Sequence, residues 1–202
     1  SIGVNLDKTR PLKKWPYTKG NRIKLFVLAG HRNMEGERAF VQELQDLKGG
    51  PTLLQDNQKV AFKYSLGGGY KVSKGWEPLG PTGYYDTFGP ELSFARKVTE
   101  VTKAPVAIIK CAAGGTHLGG DWNPDEPIGF KMYPLALDLV RSSLAELDKQ
   151  KVKYRLEGFM WHQGENDMFN KDYMPNYGKN LKNFFAKWRR DLKAPKLKFY
   201  VG

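Results

Sequence analysis

Continuous apolar runs of strand length alternate with amphipathic helical periods along most of this chain, and that alternation leaves it few architectures. Ile23–Gly30 (IKLFVLAG), Val106–Cys111 (VAIIKC), Leu156–Trp161 (LEGFMW) and Leu197–Val201 (LKFYV) read as strands buried on both faces. Gly89-Pro90 opens a helix, with proline in the first turn and Glu91 near the positive end of the dipole. Leu92, Ala95, Val98 and Thr102 stripe that helix, with Phe94 and Val101 alongside. A second helix over about 130–149 carries Leu135, Leu139, Val140, Leu144 and Leu147. A third, over about 172–192, carries Tyr177, Leu181, Phe184, Phe185 and Trp188. The order predicts an α/β fold: a three-layer α/β/α sandwich around a doubly wound, mostly parallel sheet. Residues 41–88 are the exception, glycine-containing loops around one expected strand near Val60–Tyr64.

The 202 residues suffice for one well-buried domain. Residues 1–22 read as an extended lead-in, and 23–202 as a single domain that stops at the strand expected to precede a last covering helix. No apolar run approaches the roughly 20 residues that span a bilayer, and no secretory apolar segment opens the chain. A single cysteine, Cys111, excludes an intrachain disulfide and a cysteine-built zinc site. The formal charge of +12 raises the question of nucleic acid, but the cations are spread along the chain without a nucleic-acid module. An acidic polysaccharide or an anionic cell surface is at least as suitable a partner.

In doubly wound sheets, ligands sit beyond the carboxyl ends of the strands. Three polar segments follow strand ends here: Gly30-His31-Arg32-Asn33, Gly114-Gly115-Thr116-His117 and His162-Gln163-Gly164-Glu165-Asn166-Asp167. They are expected to converge on one edge, making a site. His31, His117 and His162 could together hold zinc for a metal-dependent hydrolase, although no metal-helix spacing such as H-E-x-x-H is present. Cys111 ends an apolar strand, where most thiols are inert. Trp122, Tyr70, Tyr84 and Tyr85 fall in loops expected to flank the site, where rings can stack on sugars. Gly67-Gly68-Gly69 lacks the lysine and helix of a phosphate loop, and no cofactor is expected.

The same segments resemble the sialate O-acetylesterase-like carbohydrate esterases of the SGNH hydrolase superfamily, whose fold is flavodoxin-like. LFVLAGHRNMEG (25–36) is similar to their opening block G-Q-S-N-M-x-G, and FGPELSFA (88–95) to the helix start that follows. IIKCAAGGTHL (108–118), with Asp121-Trp122 beyond, resembles the second glycine block, and MWHQGENDM (160–168) the W-H-Q-G-E-x-D block. The resemblance implies serine hydrolysis of acetylated sugars, no cofactor, and a secreted or periplasmic setting with any signal peptide already removed. It assigns oxyanion donors to the Gly115 (or Gly114) N–H and the Gln163 amide. It places His31, Asn33, Thr116, Trp122, His162 and Glu165 around the substrate, and lets Glu165 and Asp167 brace their loop. It also exposes two departures. The nucleophile's position holds Arg32, whose guanidinium stays protonated and cannot attack an ester, and the C-terminal Asp-x-x-His block is absent. Three readings stay open: an impaired or inactive acetylesterase, a catalytically dead glycan-binding relative, and the three-histidine metal hydrolase.

Overall fold

The structure, a computed structural model, describes residues 11–16 and 20–202. Its strands are β1 (Ile23–Gly30), β2 (Asn57–Leu66), β3 (Lys71–Val72), β4 (Glu77–Leu79), β5 (Val106–Ala112), β6 (Tyr154–His162) and β7 (Phe199–Val201). Its helices are α1 (Arg32–Glu35), α2 (Val41–Gln45), α3 (Gly50–Leu54), α4 (Glu91–Thr102), α5 (Met132–Lys149), α6 (Glu165–Met168) and α7 (Tyr177–Asp191). All seven strands join one sheet in the order β3-β2-β5-β1-β6-β7, with β4 also paired to β2. The run from β2 to β7 is parallel, while β3 and β4 are antiparallel to β2. The expected three-layer sandwich is therefore present.

Strand alternation explains the layers. Ile23, Leu25, Val27 and Ala29 point to one face, where α5 and α7 cover them with Tyr133, Val140, Phe184 and Trp188. Phe26 and Leu28 point to the other, against Leu92 and Ala95 of α4 and Leu44 of α2. Both faces of β1 are thus buried, as its unbroken apolar sequence requires. On α4 the expected stripe is narrower than the sequence suggested, and Val101 turns to solvent. Residues 1–10 and 17–19 of the lead-in lie outside the described residues. Within 11–16, the Trp15 ring meets Trp76 edge-on at 5.1 Å, and its indole N–H donates to Gln150 Oε1 at 2.7 Å.

Register positions the functional edge. Gly30, the last residue of β1, pairs with Ala112 of β5 on one side and His162 of β6 on the other. Leu66 of β2 pairs with the same Ala112. Four parallel strands therefore stop at one level, and the segments after them leave the sheet side by side.

Candidate functional site

Beyond β1 the chain turns at once into α1. The Nδ1 of His31 accepts the Asn33 N–H at 3.2 Å, capping that short helix. Gly36 closes it at φ 87°, and a Cβ there would stand 1.8 Å from the Phe88 carbonyl oxygen, so only glycine fits. α1 is thereby pinned over the ends of β1 and β5. Its outer side chain, Arg32, is 49% exposed and pairs with Glu37 at 3.7 Å. Its inner one, Glu35, is buried.

Arg32, Glu35 and Glu37 form one wall of a cleft of about 560 Å³, completed by Gly67, Tyr70, Tyr84, Tyr85, Gly114 and Gly115. Glu35 Oε2 accepts the Gly114 N–H at 3.1 Å and so holds the glycine turn after β5. Burial pushes the Glu35 carboxyl up to about 7, against the opposing pull of the Gly114 N–H and the Lys110 charge. Gly115 follows at φ 75° with open space on its Cβ side. Among the described residues no backbone hydrogen bond takes its N–H, nor that of Arg32 at the head of α1. Two residues of one cleft thus keep a backbone donor without a backbone partner, groups suited to a carbonyl oxygen or an anion. Below them, Lys110 and Glu91 form a wholly buried ion pair of 2.8 Å, and Lys110 Nζ also donates to the Glu35 carbonyl at 3.2 Å.

Several residues expected at the substrate do other work. Trp122 has no exposed surface. It packs edge-on against Trp161 at 5.0 Å and donates to Thr116 Oγ1 at 3.0 Å, so it belongs to the core and cannot stack on a sugar. Thr116 is equally buried, its hydroxyl bonded to the Ala113 carbonyl at 2.8 Å. The Gln163 amide protons go to the Thr116 carbonyl, at 3.0 Å, and to Asp167, leaving none for an oxyanion. Its Oε1 accepts the Tyr177 hydroxyl at 3.0 Å. Asp167 is the hub of this brace, accepting the Leu118 and Gly119 N–H groups at 2.9 and 3.0 Å. The loop after β6 therefore supports the glycine turn from behind.

His31 is buried and bonded through Nε2 to Glu165, which also takes the Asn33 amide at 3.4 Å. The His31 bond holds the Glu165 carboxyl below the usual carboxylate range. His162 stands on the same side of β1, its ring 6.0 Å from that of His31. None of these four residues lines the cleft. His117 lies apart, against Tyr173 and 3.7 Å from Asp121. Among the described residues no three histidine, cysteine or acidic side chains gather to hold a metal, which removes the geometric basis of the three-histidine site. Cys111 is buried and its thiol is pushed up to about 12, leaving no thiolate at neutral pH. Tyr70, Tyr84 and Tyr85 do line the cleft.

Residues 22–202 match the carbohydrate esterase family described as sialic acid-specific acetylesterase. The chain belongs to this family. Solved structures agree in fold with this family member. A protein from Arabidopsis thaliana superposes with a TM-score of 0.66 at 20% identity, over 89% of this chain and 73% of that one. NanS gives 0.63 at 18% identity, over 90% and 67%. A carbohydrate acetylesterase from Xanthomonas citri gives 0.55 at 15% identity, and there the chain spans only 40% of its relative. Among curated proteins none matches the sequence. The SGNH-type sandwich and the esterase family are thus established for this chain. Glu35 escaped the sequence reading because it occupies the variable place of the opening block. Lys110, a lone cation inside the apolar run of β5, does demand a buried acid, but the one that answers it is Glu91, so it gave no signal for Glu35.

Proposed function

We propose that this family member binds an acetylated, acidic carbohydrate in the cleft between α1 and the Gly114–Gly115 turn, without the serine-based hydrolysis typical of its relatives. The observation that carries this reading is Arg32 itself. It occupies the position that the family resemblance assigns to the nucleophile, yet it presents a half-exposed guanidinium beside unspent backbone donors. A guanidinium so placed suits a carboxylate, with which it can form paired charge-assisted hydrogen bonds. The exposed rings of Tyr70 and Tyr85 offer faces for a sugar. Glu37, loosely paired with Arg32 at 3.7 Å, is the group an incoming carboxylate would displace.

The test is calorimetric titration with O-acetylated N-acetylneuraminic acid and, as the neutral counterpart, an O-acetylated xylo-oligosaccharide. The acidic sugar is expected to bind, with affinity falling as salt rises. Arg32→Ala is expected to weaken it by about tenfold or more, the worth of a charge-assisted bond. Absence of binding to either sugar, or unchanged affinity in Arg32→Ala, would reject the reading.

A further inference from the structure

We propose, on the reading that the cleft holds an acetylated carbohydrate, that Glu35 acts there as a general base toward water, so that this chain cleaves acetyl esters by direct attack of water, without a serine. Of the groups that line the cleft, Arg32 stays protonated and Glu37 is exposed and already paired with it. Burial raises the Tyr84 phenol further above its ordinary range. Glu35 is the group of the lining that burial brings to exchange a proton near neutrality.

Its position carries the proposal. Glu35 Oε2 already accepts the Gly114 N–H, and the next amide along the chain is the unspent N–H of Gly115. Successive residues lie about 3.8 Å apart. An acyl carbonyl oxygen on the Gly115 N–H would thus engage the residue next to the one that Glu35 holds, and a water on that carboxyl would lie on the same turn. The Tyr84 hydroxyl is buried and has no partner among the described residues. It lies against Gly67, a residue of the same cleft, and feels the Glu35 charge. A carboxyl from α1 and an unpaired hydroxyl from the Gly67–Tyr85 side of the same cleft are groups that can fix a nucleophilic water between them. The charged neighbours of Glu35 are Lys110 beneath it, neutralised by Glu91, and Glu37 with Arg32 at the rim.

In the first half of the reaction the water oxygen bonds to the acyl carbon while its proton passes to the Glu35 carboxylate. The carbonyl oxygen becomes an oxyanion held by the Gly115 and Arg32 backbone N–H groups. In the second half the bond from acyl carbon to sugar oxygen breaks, and protonated Glu35 returns its proton to the leaving alkoxide. Acetic acid and the free sugar hydroxyl result, with no acyl-enzyme intermediate.

The experiment follows acetate release from the O-acetylated sugar that binds, and from 4-nitrophenyl acetate, with the wild-type chain and Glu35→Gln. Glutamine keeps an acceptor for the Gly114 N–H, and circular dichroism verifies the fold. The wild-type rate is expected to rise with pH through about 7 and then level. It should resist a serine-directed phosphonate and fall by about 100-fold or more in Glu35→Gln. An unchanged rate in Glu35→Gln, or abolition by the phosphonate, overturns the role of Glu35. Sugar binding without acetate release overturns Glu35 as base and leaves the binding reading intact. Absence of binding overturns both.

Discussion

Lys110→Met should unbalance the molecule directly beneath its cleft. Neither side chain of the Lys110–Glu91 pair has exposed surface, and they meet at 2.8 Å. Lys110 also donates to the Glu35 carbonyl, and Glu91 accepts the Gly89 N–H at 3.2 Å. Methionine matches the lysine stem in volume but leaves the Glu91 carboxylate without its counter-charge in the core. Removing one partner of a buried pair costs about 3–5 kcal/mol. In a domain of this size each kcal/mol moves Tm by about 2–4 °C, so a fall of roughly 10 °C is expected. Removing both charges is a different perturbation. Lys110→Met with Glu91→Leu leaves no isolated charge, and apolar replacement of a whole buried pair is often neutral. The double variant should therefore recover most of what the single one lost. Thermal melts and urea titrations of wild type, both single variants and the double variant close the cycle. A loss under about 1 kcal/mol for Lys110→Met, or strictly additive losses, would refute the claim that the pair acts as a unit.

Two further perturbations address the brace and the buried acid. Asp167→Ala strips acceptors from the Leu118 and Gly119 N–H groups and from the Gln163 amide. With about 1–3 kcal/mol for each group left unsatisfied, it should lower Tm strongly and speed hydrogen exchange at 117–120, whereas an unchanged melt would show the brace to be idle. Glu35 holds its proton up to about pH 7 when folded, against 4.5 as its ordinary value. Because the folded value is the higher, its contribution to stability is complete below pH 4.5 and is lost as pH rises through about 7. The wild-type melt should fall relative to Glu35→Gln over that window by an amount equivalent to about 3 kcal/mol, and parallel curves would reject it.

The parts legible in the sequence were those where burial is two-sided or a period is long. β1 falls on the expected Ile23–Gly30, because only a strand covered on both faces accepts eight residues with so little polarity. The helix expected from residue 172 begins instead at Tyr177, since Met174–Asn176, with Pro175 in its first turn, forms a separate 3-10 turn. Between 41 and 88 the elements are too brief for any period to declare itself: α2 and α3 have five residues each and β3 two. The strand expected near Val60–Tyr64 extends to Asn57–Leu66 because β3 and β4 pair with its polar flanks. At the site, glycine blocks were readable because turns demand them. Burial of Trp122, Thr116 and Gln163 was not, because loop sequence does not reveal which way a side chain turns.

The cleft has two makers of different character. Its floor comes from α1 and the Gly114–Gly115 turn, fixed where Gly30 and Ala112 stop in register. Its opposite wall, from Gly67 to Tyr85, is an excursion of short pieces off β2 that rejoins α1 where Gly36 meets Phe88. Residues that shape the mouth can therefore change while the parallel strands beneath stay as they are. A library confined to Tyr70 and Tyr85 would redraw the outline of the acceptable ligand and keep the polar floor constant.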